Sequence, residues 1–392
     1  RDERHAGEPA HPACGSLGKG IDWMLRRVVF PAISMTVGII LSIVVLEVAI
    51  RILDPQELSG SWRVFSESGL FMNKSTGTAR HTVAGRTILY SFGEPGLRVR
   101  AGFEDTRARQ RVLVLGDSFT FGWGLSDEET FVTLLERKAL EARGNDIRLL
   151  NAAAGGWGLD SFVRYVEEFG EKIGPCLVLV FLNTDDIGRA FKNGLYRVDG
   201  DVLVPVAKEA PLAKRLVEAI PMYGLLIERS HLIALLRKAY LYLVASDEAR
   251  ASDAGVMAGP QSGGEIPVAD AVSLGFKLFE RLAEWSAARS VDLLVLTTGW
   301  HRPPYDDTEP TRAFMQRATD WFAARAVPFA DISHEVRPRI DELGGRAILP
   351  GDGHPSPVAA ALIAEAAWQH LSVLLENGRC AGGSEPSLRT GR

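Results

Sequence analysis

Residues 111–124, RVLVLGDSFTFGWG, constrain the fold more than any other stretch of this chain. The apolar run from Val112 to Leu115 has no polar alternation, as expected of a buried parallel strand. It stops at Gly116-Asp117-Ser118. Glycine permits a sharp turn there, and the turn lifts the Ser118 hydroxyl off the carboxyl end of the strand, the edge at which open α/β sheets bind ligands. A serine held this way is a nucleophile if a base lies within hydrogen-bond reach. The same tripeptide also serves as a plain helix N-cap, and the turn alone does not separate the two.

The rest of the chain repeats the strand-then-helix pattern. Ser126 and Glu129 have capping-box spacing and predict a helix to about residue 142. Strands are predicted at 147–150, 177–182, 292–298 and 327–332. Helices are predicted at 160–170, 212–244, 269–289, 311–325 and 357–375. Residues 196–206 read as a hairpin turning at Asp199-Gly200. This alternation predicts a parallel sheet with helices on both faces. The expected organisation is a polar cytoplasmic tail (1–26), a transmembrane helix (27–50), a juxtamembrane region (51–109), a main domain (110–376) with a flexible insertion (245–268), and a loose tail (377–392).

The transmembrane reading rests on residues 28–50, apolar but for hydroxyls and Glu47, which is about the 20 residues a spanning helix needs. Lys19, Arg26 and Arg27 precede the span, so the positive-inside bias puts the main domain on the extracytoplasmic side. The net charge of -5, without a basic tract, argues against a nucleic-acid partner. The three cysteines, Cys14, Cys176 and Cys380, form neither a disulfide framework nor a metal-binding pair. A Cys176–Cys380 bridge is possible, but nothing in the spacing indicates it.

Four predicted strand-end loops carry reactive or hydrogen-bonding groups. The first has Ser118. The second, AAAGGWG after Asn151, has Gly155 and Gly156, whose backbone N–H groups a ligand can approach closely. The third has Asn183, Asp185 and Asp186, and the fourth has Asp352 and His354. His354 is a base for Ser118, and Asp352 can orient its imidazole. Asp331, also at a strand end, competes for that role. Trp300 and His301 follow a strand and are candidates for a pocket wall. His334 and His370 read as surface or helix-face residues. Asp185-Asp186 has no companion at ligand spacing, so no metal or other cofactor is expected.

In this order the four blocks resemble the SGNH (GDSL-type) hydrolase family from about residue 111 to 375. The resemblance implies a three-layer, flavodoxin-like α/β fold. It also implies acyl transfer through Ser118, with His354 and Asp352 completing a Ser-His-Asp triad. Ser118 and Gly156 would then contribute oxyanion N–H groups. The span ending in Glu47 and Arg51 is similar to the anchor of membrane-tethered members. In the third block Asp185 falls where the family has asparagine, so the amide role passes to Asn183, unless Asp185 is held protonated or the hole runs on backbone N–H groups alone. Asp117, Asp185, Asp186 and Trp300 are left to brace the turn or line the pocket. The implied activity is hydrolysis of short acyl, especially acetyl, esters of a carbohydrate or lipid. O-acetyl transfer to an extracellular polysaccharide would use the same residues, and a non-catalytic glycan-binding protein is the alternative of another class.

Overall fold

The computed structural model describes residues 25–100, 110–183, 185–209, 222–244, 266–298, 308–378 and 380. Trp300, His301 and nearly all of the expected insertion lie outside the described residues. In chain order the strands are β1 (Arg63–Phe65), β2 (Phe71–Asn73), β3 (Gly77–Val83), β4 (Arg86–Gly93), β5 (Leu97–Val99), β6 (Gln110–Leu115), β7 (Ile147–Asn151), β8 (Leu177–Leu182), β9 (Tyr196–Asp199), β10 (Val202–Pro205), β11 (Asp292–Thr297) and β12 (Phe329–Asp331). The helices are α1 (Phe30–Leu53), α2 (Ser118–Phe121), α3 (Phe131–Arg143), α4 (Leu159–Ile173), α5 (Asp186–Asn193), α6 (Tyr223–Ile227), α7 (His231–Val244), α8 (Val268–Ala288), α9 (Glu309–Ala323), α10 (Ser333–Leu343) and α11 (Pro357–Asn377).

A mixed, mostly parallel sheet runs in the order β12-β11-β8-β6-β7-β5-β4-β3. The first five strands are parallel, and the last three join antiparallel. Numbered among themselves, the parallel strands have the 2-1-3-4-5 order of a flavodoxin-like sheet. The order reverses around β6, between β7 and β8, and the crevice at such a switch point is where these sheets bind ligands.

Side-chain alternation along the central strands divides the core in two. Leu113, Leu115, Val178, Val180 and Leu182 pack on one face against Phe162 of α4, Leu278 of α8 and Phe314 of α9. Val112, Val114, Leu177, Leu179 and Phe181 pack on the other against Leu135 of α3, Ile340 of α10 and Ile363 of α11. All six residues of β8 are buried, which accounts for its unbroken apolar sequence.

The sheet does not begin with β6. Residues 77–99, assigned by sequence to the juxtamembrane region, enter the same sheet as β3, β4 and β5. β3 pairs with β4 from Gly77↔Phe92 to Val83↔Arg86, and Arg98↔Asn151 joins β5 to β7. Along β3, buried Ala79, His81 and Val83 alternate with Thr78, Arg80 and Thr82, so no continuous apolar run marks the strand in the sequence. A third core of Trp62, Tyr90, Phe92, Phe121 and Trp123 glues this extension to the turn that follows β6. Burying such aromatic side chains contributes on the order of 2 kcal/mol each.

Three other expectations change. The Glu129 carboxylate does accept the Ser126 N–H at 2.9 Å, but α3 itself starts at Phe131, where the Thr130 hydroxyl accepts the Thr133 N–H. The helix expected through 244 is broken at 228–230 into α6 and α7, and residues 210–221 lie outside the described chain. Cys380, placed in a loose tail by its polar neighbours, is buried and bonded to Cys176.

Helix α1 is long and apolar enough to span a membrane, and most of its large apolar side chains are exposed. The structure explains the carboxylate near its end. Glu47 accepts hydrogen bonds from the Ser230 hydroxyl (2.8 Å), the His231 N–H (3.0 Å) and the Leu232 N–H (2.9 Å). It therefore caps the amino end of α7, whose first N–H groups have no partner within the helix. One turn on, Arg51 donates to the Arg229 carbonyl at 2.9 Å.

Candidate active site

The turn after β6 is dictated by close packing. A Cβ on Gly116 would lie 2.0 Å from Thr120 Oγ1, so only glycine fits. Asp117 caps α2, its Oδ1 accepting the Phe119 N–H at 2.9 Å, and this places Ser118 at the first helical position. Arg98 clamps the far end of the turn. Its guanidinium donates to the carbonyls of Phe121, Gly122 and Leu125, each at 2.6 Å, and pairs with Asp127 at 3.1 Å.

His354 comes from the loop before α11. The loop folds back through the Leu349 N–H to the His354 carbonyl (2.8 Å) and an Ile348–Pro355 bridge. His354 Nε2 lies 2.9 Å from Ser118 Oγ, and His354 Nδ1 lies 2.5 Å from Asp352 Oδ1. Asp352 Oδ1 also accepts the His354 N–H at 3.2 Å, and Oδ2 accepts the Trp123 indole N–H at 3.2 Å. Burial opposes ionisation of Asp352. The hydrogen bonds from His354 and Trp123 outweigh it and hold the carboxyl below its usual range. The imidazole is flanked by Phe119 and Trp123, at centroid distances of 5.0 and 5.8 Å. Asp331, the competing acid, instead accepts the Ser333 N–H at the start of α10 and has exposed His334 at 3.8 Å. His370 faces Glu335.

The second block is fastened to the first by Asn151, whose amide donates to the Thr120 carbonyl at 3.0 Å and accepts the Ala153 N–H at 3.1 Å. The Gly155-Gly156 turn follows. A Cβ on Gly155 would lie 3.4 Å from Ser118 Cβ, so the turn rests directly against the serine. Gly156 has φ +85°, which an L side chain rarely adopts.

The third block braces the turn. Asn183, at the end of β8, donates its amide to Asp117 Oδ2 at 3.2 Å. Its own N–H is accepted by buried Asp186 at 2.7 Å. Arg189 gathers the carboxylates of Asp117 (3.2 Å), Asp186 (3.3 Å) and Asp185 (3.4 Å) and donates to the Trp157 carbonyl at 2.8 Å. Burial lowers the Arg189 pKa, but the three carboxylates more than reverse this and raise it. Burial and then the charge of Asp117 carry the Asp186 pKa well up, against Arg189. Asp185 is the outermost of the set, its side chain 42 % exposed, and it is turned to Arg189. The structure thus brings Ser118, Gly156, Asp352 and His354 to one sheet edge. Asp117, Asn183 and Asp186 lie behind the turn, and Asp185 lies at the rim. Trp300 is outside the described residues.

Residues of the sheet extension complete the surroundings and carry no motif. His81 contacts Trp123 edge-on at 4.4 Å and lies 2.8 Å from the Tyr90 hydroxyl, which in turn accepts the Gly124 N–H at 2.9 Å. Burial lowers its pKa to about 3, against the nearby Asp352 charge, so the ring is neutral. A cavity of about 260 Å³ on this side is lined by His81, Trp123, Asp352, Arg237 and Lys238. A larger one, about 690 Å³, opens beside β5 and α3, and its lining includes none of Ser118, Asp352 or His354. Trp123 was within reach of sequence reasoning, since it stands in the same Gly-Trp-Gly run as the turn. Among the described residues no group of three His, Cys, Asp or Glu is placed to hold a metal ion.

No family model matches the chain, and no curated protein matches it. Among solved structures it is similar to TesA, with 18 % identity and a TM-score of 0.40 over 68 % of this chain and 100 % of that one. It is also similar to the psychrotrophic esterase EstA from Pseudoalteromonas sp. (16 % identity, TM-score 0.40, 68 % and 100 %) and to the acetyl xylan esterase AlAXEase (11 %, 0.38, 66 % and 98 %). At these scores the likeness is one of layout, and residue roles rest on the geometry of this chain.

Proposed function

We propose that this protein is a membrane-anchored serine esterase of SGNH type, cleaving short acyl esters, acetyl above all, of a carbohydrate or lipid. One observation carries the reading: Ser118 Oγ, His354 and Asp352 form a continuous hydrogen-bonded line, 2.9 and 2.5 Å, at the carboxyl edge of the central strands. In this reading His354 Nε2 takes the Ser118 proton as Oγ attacks the ester carbonyl. It then returns that proton to the departing alcohol. Asp352 fixes the imidazole and stabilises its charged form. The N–H groups of Ser118 and Gly156 receive the oxyanion, while the Asn183 amide, expected to share that role, is donated to Asp117. Water, activated by the same histidine, releases the acid from Ser118.

The anchor is α1, and the main domain belongs on the extracytoplasmic side. The Cys176–Cys380 bridge supports that side, because structural disulfides persist in oxidising compartments. The test is to treat the full chain in detergent with a fluorophosphonate and map the adduct by mass spectrometry. A single adduct on Ser118 that is lost in His354→Ala is the expected result. An unlabelled but folded protein refutes the reading.

A further inference from the structure

Arg63 stands at the site although no motif leads to it. It opens β1, and only 5 % of it is exposed. Its guanidinium carbon lies 5.0 Å from the ring centroid of Phe71, 5.6 Å from Trp123 and 5.9 Å from Trp62. These rings hold a planar cation in one orientation. Gly155 shows where it points. A Cβ there would meet the Arg63 NH2 nitrogen at 2.6 Å and Ser118 Cβ at 3.4 Å. The guanidinium and the serine therefore border one small space, over the turn that carries Gly156. Burial and the like charge of Arg237 lower the Arg63 pKa to about 9, which leaves it charged at neutral pH. A fixed cation in a site shielded from water acts on a developing anion far more strongly than it would in solution.

We propose that Arg63 stabilises the oxyanion formed when Ser118 is acylated, a role that rests on the esterase reading above. The need for it is visible in the third block, where Asp185 is turned to Arg189 and the Asn183 amide is donated to Asp117. In the step concerned, the Ser118 Oγ–carbon bond forms as the serine proton passes to His354 Nε2. The carbonyl π pair moves onto oxygen, where the Ser118 and Gly156 N–H groups and Arg63 face it. On collapse the pair re-forms the carbonyl, the bond to the leaving oxygen breaks, and that oxygen takes the proton from His354. Arg63 keeps its protons throughout.

The test uses the full chain in detergent with a neutral ester, p-nitrophenyl acetate, so that no substrate charge is there for Arg63 to bind. Arg63→Gln is expected to lower kcat by about 10²–10³, the usual effect of losing one oxyanion donor, with little change in KM. Arg63→Lys, which keeps the charge, is expected to hold kcat within about tenfold of the wild type, and added guanidinium ion is expected to raise the rate of Arg63→Ala. A folded Arg63→Gln with wild-type kcat overturns the proposal. So does a folded Arg63→Lys as slow as Ser118→Ala, a result that makes the contribution one of shape. Should Arg63→Gln fail to fold, the lysine variant decides alone. Ser118→Ala separates the two levels: if it keeps wild-type turnover, the esterase reading itself fails, whereas its inactivity beside a fully active Arg63→Gln removes only the role of Arg63.

Discussion

Replacing Cys380 by serine should destabilise the protein without altering its chemistry. The bridge closes a loop of 204 residues. The chain-entropy relation for a loop of that length gives about 5 kcal/mol, and losses on removing native bridges run at about 2–5 kcal/mol. Cys176 precedes β8, at the end of the strand opposite Asn183, and its N–H donates to the Arg111 carbonyl at the start of β6. The bridge thus pins the end of α11 to the sheet edge remote from Ser118. At about 2–4 °C per kcal/mol for a domain of this size, the thermal midpoint should fall by roughly 10 °C. Turnover of p-nitrophenyl acetate at 20 °C should stay within about twofold, since the bridge shares no partner with the site and distant sites act independently. The assays are scanning fluorimetry of Cys380→Ser beside the wild type with and without reductant, and initial rates on the same samples. Thiol titration of the denatured, unreduced wild type should find one free group among the three cysteines. A midpoint within about 2 °C of the wild type would show that the bridge does not constrain the unfolded chain. Lost turnover at full stability would show that the two sheet edges are coupled.

Asp352→Asn should lower kcat by about 10⁴ while leaving KM nearly unchanged, because the wrong imidazole tautomer is then held; a steady-state comparison with the wild type checks this. Asp185→Asn, at the rim, should change kcat by no more than about twofold. Asp117→Ala, which removes the carboxylate shared by Arg189 and the Asn183 amide but leaves Arg189 its pairs with Asp185 and Asp186, should cost about 1–3 kcal/mol in chemical denaturation. Asp160 gives a pH signature. Burial raises its pKa from 3.8 to about 6, against hydrogen bonds from Leu195, Asn193 and Ser161. Between those values the folded chain keeps a proton that the unfolded chain has released, so stability falls as pH rises through the window, by about 3 kcal/mol. Asp160→Asn should flatten that segment of a stability-versus-pH curve, and an unchanged slope would refute the assignment.

The parts of this molecule legible in its sequence are those written locally. β8 is six apolar residues in a row, and the structure begins and ends it where that run does. Ser118 and His354 are 236 residues apart, yet each stands in a strand-end loop of telling composition, and the fold brings the two loops together. The illegible parts depend on partners that sequence proximity does not supply. Arg98 earns no notice until its three carbonyls, 23 to 27 residues on, are seen around it. Arg63 is one basic residue in a polar stretch until Gly155 is placed beside it. Nothing in three scattered cysteines pairs Cys176 with Cys380. The β3–β5 extension is only faintly marked, because half its residues face outward, which dilutes the apolar signal below that of a central strand.

The contact between Glu47 and the start of α7 sets how far the proposed enzyme can search. Nine residues, 54–62, separate α1 from β1, and fully extended they would allow roughly 30 Å of play. The cap removes that freedom, because α7 is fastened to the last turns of α1 itself. With α1 as the proposed membrane anchor, a domain held in this way travels with its helix and samples a thin layer above the lipid. Its encounter rate then follows the number of esters per unit area of membrane, and a soluble ester at equal bulk concentration is met less often than one presented at the surface.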